Sequence, residues 1–355
     1  MKKLKLVVSD FHLGNGPTLP DGSVNQLEDF VYDEQFIEFL QHHAAQAGAE
    51  TDLELILNGD FLNMVQLMPF EQHLGLLTAR AAMAKLEAIV AGHQALFDAL
   101  RAFNVAPRRR IVFVLGNHDP QLLWHDVQEH LRAVVGGEVI FVDDAYRFDG
   151  VHVEHGHQLE PIFKMQKDRY FLTKGFSEPV LNLPWGVFFV TDYLYRIKRK
   201  RPYTDKVGPY RLYLRWCLWN DFWFFVSEVF RYLWFILRTR FGPLPLARAG
   251  ARKALQAVFH LARSPTLADG VQKIIARGGC RIVILGHTHI PVHQRLEGGE
   301  YLNPGCWNDV TGLDIANLGR SKRLLYVQLE YRDDKPQARL LEWVGFHHPI
   351  RNVRL

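Results

Sequence analysis

The chain reads as an α/β fold of stacked sheet and helix layers, and three observations predict it. Five short apolar runs, rich in Val, Ile, Leu and Phe, each stop abruptly in Gly, Asp, Asn or His. Buried strands behave this way when they deliver a polar loop, and ligands gather beyond the carboxyl ends of such strands. Stretches of helical period separate the first three runs, which is the traffic of β-loop-helix-β units. Finally, 355 residues with 48% hydrophobic and 23% charged side chains can bury a sizeable core, which excludes a disordered chain.

Taken in order, Leu4 to Ser9 is the first strand, and Asp10-Phe11-His12-Leu13-Gly14 is the loop at its end. Side chains two apart on extended backbone project to one side, so Asp10 and His12 can reach one ion. The apolar run before Ser9 is too short for a signal peptide. Asp33 is placed to cap a helix in which Phe36, Leu40 and Ala47 share a face, and Gly48 stops it. Leu53 to Leu57 is a second buried strand, closing in Asn58-Gly59-Asp60. Phe70 to Phe103 is Ala-rich and helical with one or two breaks. It returns the chain to Arg110-Ile111-Val112-Phe113-Val114-Leu115, a central strand that ends in Gly116-Asn117-His118-Asp119.

Pro120 to Val135 reads as one further helix ended by Gly136-Gly137. Val139 to Val142 and Tyr146 to Phe148 are short strands around an Asp143-Asp144 turn. Val151 to Glu154 leads into His155-Gly156-His157. Far along the chain, Arg281 to Leu285 is again a buried strand, and it ends in Gly286-His287-Thr288-His289. Val292 to Leu296 and Glu300 to Leu302 form a hairpin around Gly298-Gly299, and Arg323 to Glu330 and Gln337 to Trp343 are the last strands.

Charge and cysteine content narrow the class. A net charge of +4 argues for no particular partner. Cys217, Cys280 and Cys306 are odd in number and widely spaced, so they form neither a disulfide framework nor a zinc knuckle. A reducing, cytoplasmic setting is the expectation.

The chemistry gathers at the strand ends: Asp10, His12, Asp60, Asn117, His155, His287 and His289, with His118 and His157 beside them. Carboxylates, imidazoles and one amide, without thiolate, suit manganese, iron or zinc. Seven donors exceed the need of one structural zinc. They match two divalent ions sharing a bridging carboxylate, roughly 3.5 to 4 Å apart, a pair that lowers the pKa of a bridging water to about 7.

Asp10-x-His12, Gly59-Asp60, Gly116-Asn117-His118-Asp119, His155-Gly156 and Gly286-His287-x-His289, in that order, resemble the calcineurin-like metallophosphoesterase superfamily. The resemblance covers residues 1–160 and 263–345 as one discontinuous core. It implies two packed mixed β-sheets flanked by helices. It also implies that Asp10, His12 and His289 hold one ion, that Asn117, His155 and His287 hold the other, and that Asp60 bridges them. Manganese is the expected metal, with iron or zinc as alternatives. His118 would face the substrate and help protonate the leaving oxygen. Asp119 would either orient His118 or cap the helix at Pro120. His157 lines the site or packs.

Residues 161–262 interrupt this core and differ from it. Pro184 to Val190, Phe222 to Val226 and Tyr232 to Leu237 are heavily aromatic, interleaved with Lys198-Arg199-Lys200-Arg201, Arg211, Arg215, Arg231, Arg238 and Arg240. No stretch here has the ~18 uninterrupted apolar residues of a spanning helix. A helical cap is expected. Residues 185–241 would touch the inner face of a membrane or enclose an acyl chain, or the aromatics would form the cap's own core. An aromatic, basic insertion beside a two-metal site resembles the UDP-2,3-diacylglucosamine diphosphatases. That match is incomplete, since the group carries arginine where this chain has His118, and its insertion is shorter.

The expected function is hydrolysis of a phosphodiester or pyrophosphate bond by metal-bound hydroxide, in a phosphorylated small molecule or a lipid-linked substrate. A nuclease of the same superfamily, acting on single-stranded nucleic acid, is the alternative, and the mild charge speaks against nucleic acid. A protein phosphatase is disfavoured because Gly59-Asp60 continues as Phe61-Leu62-Asn63-Met64. A non-enzymatic scaffold would be expected to have lost ligands, and here none is missing.

Overall fold

The structure is a computed structural model that describes every residue outside positions 1, 20, 67–76, 203, 205, 209, 253, 255–266, 313–318, 322, 347–349 and 353–355. Strands β1 (Lys2–Val8), β2 (Thr51–Asn58), β3 (Arg109–Val114) and β4 (Glu138–Val142) run parallel in register. The antiparallel strands β15 (Leu324–Arg332), β16 (Lys335–Trp343) and β17 (Ile350–Asn352) extend the sheet to seven, in the order β17-β16-β15-β1-β2-β3-β4. A second sheet holds β5 (Ala145–Phe148), β6 (Val151–Glu154), β10 (Ile282–Ile284), β11 (Val292–Leu296) and β12 (Gly299–Asn303), in the order β11-β12-β10-β6-β5.

Strand periodicity decides which residues fill which layer. Val7, Ile56, Val112 and Val114 point from the first sheet into a core shared with Val151, Val153, Ile282, Ile284 and Leu302 of the second. Their neighbours Leu6, Leu55, Leu57, Ile111 and Phe113 point the other way. There α1 (Asp33–Ala47), α2 (Ala79–Gly92), α3 (Gln94–Asn104) and α4 (His125–Val135) cover the sheet with Phe36, Phe39, Leu86, Phe97, Leu100 and Leu131. The outer face of the second sheet is covered by α10 (Ala268–Ala276), through Val271 and Ile275 on Val283, Leu285 and Tyr301. The result is helix, sheet, sheet, helix: two mixed sheets flanked by helices, as expected.

Local details refine the sequence reading in four places and depart from it at two, the cap of α1 and the segment Pro120 to Val135. Tyr32, not Asp33, occupies the cap of α1, and the Asp33 carboxylate instead meets His93 Nδ1 at 2.8 Å. The Phe70–Phe103 helix is two helices broken at His93, whose φ of −128° and ψ of 35° leave the helical region; its first residues, through 76, lie outside the described ones. Pro120–Leu123 forms a single 3-10 turn, and extended backbone at Trp124 separates it from α4. The Asp143-Asp144 turn does not close a hairpin, because β4 and β5 belong to different sheets. It carries the chain across the sandwich.

Residues 161–252 are not purely helical. They contain the antiparallel pair β7 (Phe171–Leu172) and β8 (Val180–Leu181), and β9 (Val207–Gly208), which pairs in parallel with β13 (Val310–Gly312); the latter also pairs with β14 (Gly319–Ser321). A helical rod runs through α5 (Trp185–Phe188), a π-helical stretch Phe189–Leu194, and α6 (Tyr195–Lys198). Then come α7 (Tyr210–Asn220), α8 (Phe222–Arg240) and α9 (Pro245–Ala251). The expected end of the insertion, at 262, lies outside the described residues. A buried ion cluster ties the rod to the loop after β1: Lys198 Nζ lies 3.1 Å from Asp29 Oδ1, and Lys206 Nζ lies 3.0 Å from the same atom. Among the described residues no helix is long and apolar enough to cross a membrane.

Candidate metal centre

The loops after β1, β2, β3, β6 and β10 meet at one edge of the sandwich, where parallel strands present their carboxyl ends. They are zipped together by backbone bonds, Asp10 N to Gly59 O at 3.2 Å and His12 N to Asp60 O at 2.8 Å. Asp10, His12, Asp60, His287 and His289 all have positive φ, between 50° and 69°. This left-handed region is unfavourable for side-chain-bearing residues and costs on the order of 1 to 3 kcal/mol each. The described chain has nine such residues, so most of this strain is concentrated at one place.

The glycines before the polar residues have a steric reason. A Cβ at Gly116 would overlap Asp60 Oδ1 and the Asp60 nitrogen, and one at Gly286 would overlap Ser9 Oγ and Asp10 Oδ2. Only glycine lets these strand ends approach so closely.

The side chains converge in two sets. His289 Nε2 lies 3.2 Å from Asp10 Oδ1 and 3.0 Å from His12 Nε2. Two imidazole nitrogens facing each other at that distance need a proton or a cation between them. In the second set, His155 Nε2 lies 3.2 Å from Asn117 Oδ1 and 3.2 Å from Asp60 Oδ2. Asp60 Oδ2 is also 3.8 Å from His12 Nε2, so one carboxylate oxygen stands between the sets. Donor atoms of Asp10, His12 and His289 lie within 4.8 Å of one another, as do those of Asp60, His155 and His287, and of His12, Asp60 and His118.

Supporting contacts fix the orientations. His155 Nδ1 lies 3.0 Å from the Asn58 carbonyl, an acceptor only, so Nδ1 carries a proton and Nε2 is the ring nitrogen turned inward. Asp60 Oδ1 accepts from His118 N at 2.7 Å, leaving Oδ2 for the space between the histidines. Asp10 accepts from His287 N at 3.0 Å through Oδ2.

The electrostatics describe two ionised carboxylates that attract positive charge, whether protons on the neighbouring imidazoles or a cation. Burial works against ionisation of Asp10, yet the neighbouring His155 and His289 outweigh it and hold the carboxyl below the usual range. Asp60 is held well below its usual value in the same way, by His155 and His118 against burial. Burial and His118 push His12 down to about 3. Burial opposes a charge on His155, but Asp60 and Asp10 carry it up to about 9. The donor set, its burial and the facing imidazoles all fit divalent cations.

All ten residues singled out from the sequence are present at this edge, and one of them, Asp119, behaves differently from the sequence reading. Asp119 does not orient His118, and its side chain does not cap the following turn. Its oxygens instead accept from Gly116 N at 2.6 Å and Phe61 N at 3.1 Å, stapling two site loops together. Burial and Asp60 push its carboxyl up to about 7. The partner of His118 is Asn63, 3.2 Å from Nδ1, and Asn63 in turn donates to Tyr195 OH at 2.7 Å. His157 is buried beside His155 and His287, with ring centroids 5.5 and 6.4 Å away.

Sequence reasoning missed Asn63, Tyr195 and Glu160, whose Oε2 lies 3.4 Å from His287 Nε2. Only Asn63 carried a signal, its place three residues after Asp60 in the same loop.

Fold and site together define a class: an α/β sandwich whose strand-end loops gather carboxylate, amide and imidazole groups able to hold divalent cations. No family model matches the chain, and neither does any curated protein. Solved structures do match over nearly all of it. Vps29 complexed with zinc from Entamoeba histolytica is 13% identical, covering 99% of this chain and 98% of that one with a TM-score of 0.33. A conserved protein of Streptococcus pneumoniae described as a predicted phosphoesterase is 11% identical over 99% and 98%, with a TM-score of 0.31. A phosphopantetheinyl hydrolase of Mycobacterium tuberculosis is 13% identical over 86% and 90%, with a TM-score of 0.27. Identity and TM-score are low throughout, and the chemistry of the site stands on its own residues.

Proposed function

We propose that this protein is a dinuclear metal-dependent phosphoesterase, hydrolysing a phosphodiester or pyrophosphate bond. The observation that carries the reading is the position of Asp60 Oδ2, 3.2 Å from His155 and 3.8 Å from His12, between two clusters of ligand type. Asp10, His12 and His289 would hold one ion and Asn117, His155 and His287 the other, with Asp60 shared. Bound divalent ions would supply a water acidified to a pKa of about 7 and positive charge against the phosphoryl oxygens. Manganese is the first ion to test, then iron and zinc.

The chain's own residues do the rest. His118 is half-buried at the rim, edge-on to His12 with ring centroids 4.4 Å apart. Asn63 Oδ1 accepts from its Nδ1, which directs Nε2 toward the space above the ligands. Burial pushes the His118 pKa down to about 4, so Nε2 would protonate the leaving oxygen only after taking up a proton itself, as the negative charge developing on that oxygen favours the imidazolium. The Asn63–Tyr195 link runs from this histidine to the rod of the insertion, so residues 185–198 would bear on the substrate as well as on the packing. A substrate with a lipid-linked phosphate, of the UDP-diacylglucosamine kind, is the class that the aromatic insertion favours.

Turnover of an aryl phosphodiester with added manganese tests the reading. Asn117→Ala and His289→Ala should fall to background with unchanged circular dichroism. His118→Ala should lose about a hundredfold to ten-thousandfold. Full activity in either ligand variant refutes the assignment.

A further inference from the structure

The aromatic residues of the insertion have opposite fates. The rod is buried: Trp185 and Tyr195 are almost fully enclosed, and Trp185, Phe189 and Tyr193 pack on one side against Phe235 and Tyr232 of α8. The rest of α8 and the end of α7 are open. Trp219 is 81% exposed, Trp223 80%, Phe241 76%, Phe230 69% and Trp234 67%. At 3.6 residues per turn, Trp223, Phe230, Trp234 and Leu237 lie on one face of α8, turned away from the buried Phe235, and Phe241 follows directly after the helix. Isolated exposed apolar residues need no explanation, but a contiguous stripe of indoles and phenyl rings does.

The border of this stripe is basic. A cleft of about 420 Å³ between the rod and α8 is lined by Arg196, Arg199, Lys200, Arg231 and Arg238, and Trp234 belongs to both cleft and stripe. Its two acidic residues, Asp192 of the rod and Glu228 of α8, are buried, Glu228 is paired with Arg231, and the five basic residues outnumber them. Arg196, Lys200 and Arg238 have no carboxylate partner among the described residues.

We infer that the outward face of α8, with the end of α7, docks on an anionic phospholipid bilayer. Indole and phenyl groups would enter the interfacial region while the neighbouring guanidinium and ammonium groups meet lipid phosphates. Charge complementarity selects this occupant over two others. A second copy of the chain would bring one row of arginines against another on a two-fold axis. Single-stranded nucleic acid would use the rings and the cations, but not Val229, Leu233 and Leu237, which are exposed among them. The helix lies on the surface rather than across it, since Glu228, Arg231, Arg238 and Arg240 interrupt its 19 residues. This docking does not depend on the metal site.

The test is flotation of the full-length protein with vesicles of phosphatidylcholine alone and of phosphatidylcholine with phosphatidylglycerol, read with tryptophan fluorescence. The expected result is binding to the anionic vesicles with a blue shift, weakened by salt. Trp219→Ala combined with Trp223→Ala and Trp234→Ala should lower partitioning by at least about tenfold. Arg196→Glu and Arg238→Glu should each lower it by about fivefold or more. All variants are to keep the wild-type thermal transition, and Trp219→Phe should rescue part of the loss in its own background. Absence of vesicle binding overturns the inference. So does binding that survives the triple variant, binding equal on neutral vesicles, tighter binding to single-stranded DNA, or a stable dimer that the triple variant converts to monomer.

Discussion

Asn63 stands between two side chains that the sequence keeps far apart, His118 at the rim of the candidate metal centre and Tyr195 in the insertion. Its side chain is bonded to His118 and Tyr195 and to none of the seven residues proposed to hold the ions, so its effect would run through the orientation of His118. Asn63→Ala should therefore lower turnover by about tenfold to a hundredfold while metal content stays at the wild-type level, as measured by steady-state kinetics and elemental analysis. Loss of metal in parallel with activity would assign Asn63 to holding the ions instead. The ligand-type residues were legible because each follows a glycine or an alternating pattern at the end of an apolar run. Asn63, Glu160 and Tyr195 were not, because a single polar residue in a loop or helix has no spacing that announces its partner. The pair Asn63 and Tyr195 is 132 positions apart, and only the folded chain joins them.

At the scale of elements, the break between α2 and α3 has a second role. His93, at the break, is buried between the carboxylates of Asp33, 2.8 Å away, and Glu28, 3.7 Å away. Glu28 also accepts from Gly14 N and Gly16 N, so this histidine braces the loop that leaves the site after His12. Burial would lower its pKa, but the hydrogen bond to Asp33 and the nearby Glu28 carboxylate raise it to about 9. A histidine whose folded pKa exceeds its unfolded value stabilises the fold fully below about pH 6.5, and the contribution disappears as pH rises through about 9. His93→Gln should accordingly lower unfolding free energy by on the order of 3 kcal/mol near pH 6, with the gap narrowing toward alkaline pH in denaturant titrations. A gap that widens with pH would contradict this. The sequence announced a break but not its position, since His93 is no conventional breaker. It likewise announced two strands around Asp143-Asp144 without revealing that they join different sheets, because alternation marks a strand's faces and not its neighbours.

For the whole molecule, the two-sheet sandwich follows from strands whose odd and even residues both find apolar layers. That pattern was readable because it is written in continuous Val, Ile and Leu runs. The insertion was less readable. Aromatic runs look alike in sequence, yet Trp185 to Tyr195 became core and Trp219 to Phe241 became largely surface. The sandwich matters for function because it brings seven donors from five loops to one edge. Elemental analysis of purified protein after manganese loading and desalting tests that claim most directly. The account predicts about two ions per chain in the wild type, about one in His289→Ala, and loss of both in Asp60→Asn. Fewer than one ion in the wild type, or an unchanged count in both variants, would contradict it.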